Sequence, residues 1–234
     1  MGRGRAWWQA GRWQLARAAV LLCVPAAAWG WWRAAHWTPD PAAFPVQGVL
    51  LGAADGAVDL RVLAATGARF AYLEASRGAD GRDPRFAGAL AAGQAAGLTM
   101  GALHLYDPCA PADEQAANFV ITVPRDPRLL PPAVALAVTA GTCADPVAAA
   151  GLEGELTTFL NQIERHAGAP AILAISREFE ERHALAGRFD RGLWLTGDWL
   201  QPGYAGRPWT LWTANAAYRS EAADTPLRWV VAQP

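Results

Sequence analysis

Two hydrophobic periods alternate along this chain, and together they predict alternating strands and helices. Apolar runs of strand length stand at Val46–Leu51, Arg69–Ala75, Met100–Tyr106, Leu130–Val138, Ala171–Ile175, Leu193–Thr196, Trp209–Thr213 and Trp229–Val231. Most are continuous rather than alternating, the pattern of strands buried on both faces. Between them the spacing turns helical. Leu152, Leu156, Phe159, Leu160 and Ile163 recur at i, i+4, i+7, i+8 and i+11 and form one face, stopped by Gly168 and Pro170. Val58, Val62, Leu63 and Ala65 predict a shorter helix ended by Gly67. Asp83 as cap and Pro84 at the first position open another helix, which closes at Gly97. Pro111 opens one through Phe119, and Glu178, Glu180 and Glu181 mark the solvated face of the last. The alternation predicts an α/β fold on a parallel sheet, closed or nearly so.

The central run is Leu130-Pro131-Pro132-Ala133-Val134-Ala135-Leu136-Ala137-Val138. Residues two apart on a strand share a face, so Ala135 and Ala137 point the same way. At the C-terminal end of a barrel strand that is where catalytic groups stand, and here both are methyl groups.

The N-terminal stretch is different in kind. Arg3, Arg5, Arg12 and Arg17 precede an apolar run from Ala18 to Trp32, closed by Arg33, with no acid before Asp40. A basic start followed by an apolar run is an export signal. Ala26-Ala27-Ala28 offers a small-residue cleavage site. The competing reading is a retained inner-membrane anchor with Trp29, Trp31 and Trp32 at the interface, although the run falls short of the ~20 residues a span uses. Both readings place the remainder outside the cytoplasm, as a secreted or periplasmic domain or as an anchored one. Residues 1–33 are thus read as signal or anchor, the Pro-containing stretch 34–45 as a linker, and 46–234 as the folded domain.

Composition narrows the functional classes. Hydrophobic residues make up 53% and charged residues 18% of the 234 positions, enough for a sizeable core. A net charge of -1 gives no basis for a nucleic-acid partner. All 20 basic residues are Arg, which with the abundant Ala and Gly reads as coding bias. Four scattered His and three Cys show no metal-ligand spacing, and nothing calls for a cofactor. Cys23 lies in the apolar run. Cys109 and Cys143 lie in loops after neighbouring strands, where an oxidising compartment permits a disulfide; two free thiols are the alternative.

From Phe44 onward the sequence resembles the family 25 glycoside hydrolases, the muramidase-type lysozymes. The resemblance rests on Val46-Gln47-Gly48-Val49, Phe70-Ala71-Tyr72, Asp83-Pro84-Arg85-Phe86, Ala95-Ala96-Gly97-Leu98, Gly101-Ala102 with His104 and Tyr106, Glu114-Gln115-Ala116-Ala117-Asn118-Phe119, Leu130-Pro131-Pro132 and Trp209-Thr210-Leu211-Trp212. It implies an irregular TIM-like (β/α) barrel, with peptidoglycan or another envelope glycan as partner.

The departures concern the acids. Where the family begins Gly-Val-Asp-Val-Ser, this chain has Leu50 at the Asp. Where Asp-x-Glu follows Leu-Pro-Pro, it has Ala135 and Ala137, and Arg228 stands at a late Asp. The family's Lys-Ala-Thr-Glu-Gly is here Glu74-Ala75-Ser76-Arg77-Gly78. Glycoside hydrolysis needs a carboxyl to protonate the leaving oxygen and usually a second carboxylate across the bond. Three readings follow: a non-cleaving glycan-binding domain, an active glycosidase with relocated acids, or a non-catalytic envelope interaction protein. Candidate groove residues are Glu74, His104, Tyr106, Asp107, Trp194, Asp198 and Trp212, with Trp199 as a further aromatic. Glu74 is expected to pair with Arg77, the aspartates to cap turns, His104 to hydrogen-bond within the wall, and Trp194 and Trp212, which lie in strands, to pack in the core rather than stack on sugar rings. Ser76 lies in no nucleophile elbow, so a serine-hydrolase triad is not expected.

Overall fold

The computed structural model describes residues 23–139, 141, 143 and 149–234. The basic start at Arg3 to Arg17 therefore lies outside the described residues. The chain forms two compact units that divide between Trp37 and Thr38. In the first, residues 23–35 are helical (α1), two residues beyond Arg33. Val24, Trp29, Trp31 and Trp32 on it are exposed. Among the described residues no helix is long and apolar enough to cross a membrane.

The second unit is a closed barrel. Its strands are β1 (Gln47–Leu51), β2 (Phe70–Arg77), β3 (Gly81–Arg82), β4 (Thr99–Leu105), β5 (Ala133–Leu136), β6 (Ile172–Ile175), β7 (Gly192–Thr196), β8 (Leu211–Tyr218) and β9 (Leu227–Ala232). Strands β1, β2, β4, β5, β6, β7 and β8 pair in parallel succession, and β9 closes the ring antiparallel to both β8 and β1. Strand β3 is a short hairpin partner of β2, outside the ring. The helices are α2 (Leu60–Ala65), α3 (Phe86–Ala95), α4 (Ala112–Thr122), α5 (Ala149–Ala167) and α6 (Arg177–His183). The α/β barrel expected from the alternation is thus the observed fold, irregular in its last strands.

The central strand is shorter than its apolar run. Pro131 and Pro132 have no N–H for the ladder and stay outside β5, while Ala137 and Val138 run on as exposed chain. The stretch read as a linker is also different from Thr38 onward. The Gln47 side chain donates to the carbonyls of Pro39 and Phe44, both at 2.9 Å, and the Phe44 ring packs on Trp209 and Trp212. These residues are seated on the barrel.

The barrel is filled by side chains. Leu50, Phe70, Tyr72, Leu103, Trp194 and Val230 meet inside it. Gly101 makes room for the Tyr72 ring, since a Cβ there would lie 2.4 Å from it. Outside, the predicted helical face is fully buried: Leu152, Leu156, Phe159, Leu160 and Ile163 on α5 pack with Phe119 of α4 against the wall. Each such side chain contributes about 1.5–3 kcal/mol by leaving water.

Candidate functional site

The mouth of the barrel lies at the C-terminal ends of the parallel strands, where loops carry chemistry in such barrels. Because β9 runs the other way, its N-terminal end joins this rim. Register then brings together the positions expected to hold acids. Leu50 is the partner of Tyr72 on one side and of Arg228 on the other. At 9% exposure Leu50 belongs to the core, and Ala135 packs against the same cluster. Ala137 stands one residue past the strand end and is exposed. The floor of the mouth is therefore aliphatic.

Its charged side is closed on itself. Arg228 Nη1 donates to Glu74 Oε1 at 2.6 Å and Arg228 Nη2 to Asp55 Oδ2 at 2.8 Å. Asp55 Oδ2 also accepts the Gly52 N–H at 2.6 Å. A Cβ on Gly52 would lie 2.3 Å from Glu74 Oε2, so the glycine permits this close approach. Glu74 thus pairs with Arg228 rather than with Arg77. Asp55 and Gly52 were missed by sequence reasoning; they join the site only through barrel closure. Because the three side chains are mostly buried, at 29%, 14% and 12% exposure, Arg228→Met should leave two carboxylates short of a partner. We expect a loss of about 2 kcal/mol at neutral pH by denaturant unfolding; an unchanged midpoint would show that the ion pairs contribute nothing.

Two of the other groove candidates face away from the mouth. A register shift in β2 between Glu74 and Ser76 sends Glu74 inward and Ser76 outward, beside His104. Ser76 Oγ lies 2.8 Å from His104 Nδ1, and His104 Nε2 lies 3.2 Å from Gln115 Oε1 on α4. The Gln115 amide nitrogen donates to the carbonyls of Asp107 and Ala110, which turns its oxygen towards His104. The ring therefore donates from Nε2 and accepts the Ser76 hydroxyl at Nδ1. His104 is fully buried between sheet and helices, with Phe119 and Phe159 against it, and burial lowers its pKa to about 4. Tyr106 shares that outward face, buried on Phe159. Tyr106 is thus corrected from groove to wall, and His104 hydrogen-bonds within the wall as expected, because both alternate with the inward Leu103 and Leu105.

The remaining candidates hold structure together. Trp194 lies inside the barrel and donates to Thr213 Oγ1 at 2.8 Å. Trp212 faces outwards, packs on Trp209 and Phe44, and donates to the Gly197 carbonyl at 2.7 Å. Asp107 accepts the Cys109 N–H and Asp198 the Ala216 N–H. Cys109 and Cys143 are joined, with Cα atoms 5.3 Å apart. Among the described residues no three His, Cys, Asp or Glu side chains are grouped to hold a metal.

The sequence profile of the glycosyl hydrolases family 25 matches residues 52–218. The chain belongs to this family. A family 25 glycosyl hydrolase from Bacillus anthracis superposes with TM-score 0.76 at 20% identity, over 85% of this chain and 93% of that one. The bacterial lysozyme from Streptomyces coelicolor gives 0.70 at 19%, over 81% and 92%. The spore cortex lytic enzyme SleM from Clostridium perfringens gives 0.69 at 17%, over 84% and 69%. No curated protein matches the sequence.

Within this family 25 barrel the mouth holds a cavity of about 250 Å³, lined by Glu74, Ser76, Arg77, Arg82, Asp83 and Leu105 among others. A larger cavity of about 690 Å³ lies against α2 and α3, where Asp59 caps α2 and pairs with Arg61; the mouth, at the C-terminal ends of the strands, is the better site. Since Ala137 is exposed, Ala137→Glu places its carboxylate in water rather than in the core. Stability should stay within about 0.5 kcal/mol of wild type at pH 4 and pH 7. A loss of several kcal/mol at pH 7, relieved at pH 4, would mean that the rim is closed.

Proposed function

We propose that this family 25 domain binds peptidoglycan glycan without cleaving it, outside the cytoplasmic membrane. The observation that carries the reading is the chemistry of the mouth. Leu50, Ala135 and Ala137 bring no carboxyl there, and the carboxylates that remain beside them, Glu74 and Asp55, are both tied to Arg228. A general acid must stand free to reach the leaving oxygen, and both carboxylates are instead taken up as acceptors of the Arg228 guanidinium. The barrel still presents a polar rim with an aromatic. Trp199, in the loop after β7, is 51% exposed, next to Leu200 at 77%. Its backbone takes a positive φ of 61°, a conformation that costs energy in a bulky residue. An exposed aromatic face suits the C–H face of a sugar ring.

The test is co-sedimentation with purified peptidoglycan sacculi, in parallel with assay of released reducing ends. Binding without release is expected, and Trp199→Ala should weaken binding at least several-fold. Release of reducing ends that is lost in Glu74→Gln would replace this reading with an active glycosidase using relocated acids. Absence of binding would leave an envelope interaction protein that has kept only the barrel.

Export rests on the basic start, the apolar run and the exposed Trp residues of α1. A reporter active only in the periplasm, fused after Pro234, should give signal; a silent fusion would refute export. Retention in membranes after a carbonate wash would favour an anchor over cleavage near Ala28.

A further inference from the structure

Four arginines stand in or near the mouth cavity, and their hydrogen bonds divide them into two kinds. Arg228 is taken up by Glu74 and Asp55. Arg85 donates from Nη1 to the Gly56 carbonyl and from Nη2 to the Ala53 carbonyl. Those two guanidinium groups serve the fold. Arg77 and Arg82 line the cavity and are different. Among the described residues the Arg77 guanidinium has no hydrogen-bond or acidic partner, and Arg82 donates only from Nε, to Asn118 Oδ1 at 2.6 Å. The acids of the same lining are engaged elsewhere: Glu74 by Arg228, and Asp83 by the Arg85 N–H at 2.9 Å.

The hairpin that carries this pair is braced. Asn118 of α4 is 1% exposed. Its amide nitrogen donates to the carbonyls of Gly78 and Gly81, each at 3.0 Å, which turns its oxygen to Arg82. Strands β2 and β3 pair Ser76 with Arg82 and Arg77 with Gly81, so the two arginines leave opposite faces of one short ribbon, and both border the cavity. Two planar, permanently charged donors on a rigid support, in a cavity whose acids are spoken for, match a carboxylate better than a neutral sugar.

We propose that Arg77 and Arg82 form a carboxylate clamp at the barrel mouth, so that the peptidoglycan fragment held there is gripped through its acid groups. This rests on the peptidoglycan-binding reading above, and the experiment separates the two. The probes are a soluble disaccharide muramyl dipeptide with free carboxylates, the same molecule with its carboxylates amidated, and an uncharged chitin oligosaccharide. Each is titrated calorimetrically into the native protein, then into Arg77→Gln and Arg82→Gln. Arg77 is exposed and supports nothing by its side chain, so its replacement leaves the fold intact.

The free-acid fragment should bind at least tenfold more tightly than its amide. Arg77→Gln should remove most of that preference without changing affinity for the amide. Raising the salt from about 50 to 500 mM should weaken only the free-acid complex. Equal affinity for acid and amide, or an unchanged preference in both variants, overturns the clamp while leaving glycan binding in place. Failure of all three probes, together with no sedimentation on sacculi, sinks both.

Discussion

Taking the domain from pH 7 to pH 4 should cost it roughly 3 kcal/mol through His104 alone. Burial lowers the folded pKa of this ring from the ordinary 6.5 to about 4. Between those values the unfolded chain binds a proton that the folded state refuses. Stability from this group is therefore complete above pH 6.5 and is lost as the pH falls towards 4. The penalty is large because, among the described residues, the ring has no acid to share a proton with. Its neighbours are Ser76, Gln115 and two phenylalanines. Gln115 could accept from a charged ring, but protonation at Nδ1 would set an N–H against the Ser76 hydroxyl, which must then turn away. Denaturant unfolding at pH 7, 5.5 and 4 measures the slope. His104→Gln should be less stable throughout and should show a flatter pH dependence over this window. A wild-type curve as flat as the variant's would mean that the wall is not sealed.

Loss of the Cys109–Cys143 bond is the second large effect. The two residues are 34 positions apart, a loop that includes α4 and β5. Closing a loop of that size restricts the unfolded chain by about 3 to 4 kcal/mol in the chain-entropy view. The bond also ties the segment after β4 to the segment after β5, both at the mouth. Cys109→Ser should lower stability by about 3 kcal/mol relative to oxidised wild type and should match wild type unfolded under reducing conditions. Thiol counting on denatured, exported protein should find neither cysteine free. Two reactive thiols at these positions, or equal stability with and without reductant, would remove the bond from the account.

Much of the barrel is visible in the sequence because its ring strands are buried on both faces and read as apolar runs. Direction is not visible in the same way. Trp229–Val231 is an apolar run whichever way it points, so nothing local says that β9 is antiparallel. That direction puts Arg228 at the mouth, 154 residues from Glu74 in sequence. A local pairing with Arg77 was the natural expectation, and it fails for that reason. Strand β3 is a Gly and an Arg with no hydrophobic signature, so the hairpin beneath Arg82 was missed. Tyr106 was misplaced by the smallest margin. Alternation in a strand separates groove from wall by one residue, and a strand buried on both faces gives no polar side to choose between them. The absent acids, by contrast, were plain at the level of residue type, because a methyl or isobutyl group cannot transfer a proton in any fold.

We propose that this family 25 barrel has kept its mouth and lacks hydrolytic activity. The most direct measurement is the release of reducing ends from purified peptidoglycan by the intact protein, across acid to neutral pH, beside an active family member. The account predicts no release above the buffer blank at any pH, while the same preparation sediments with the sacculi. Steady release by wild type that disappears in Glu74→Gln would contradict it.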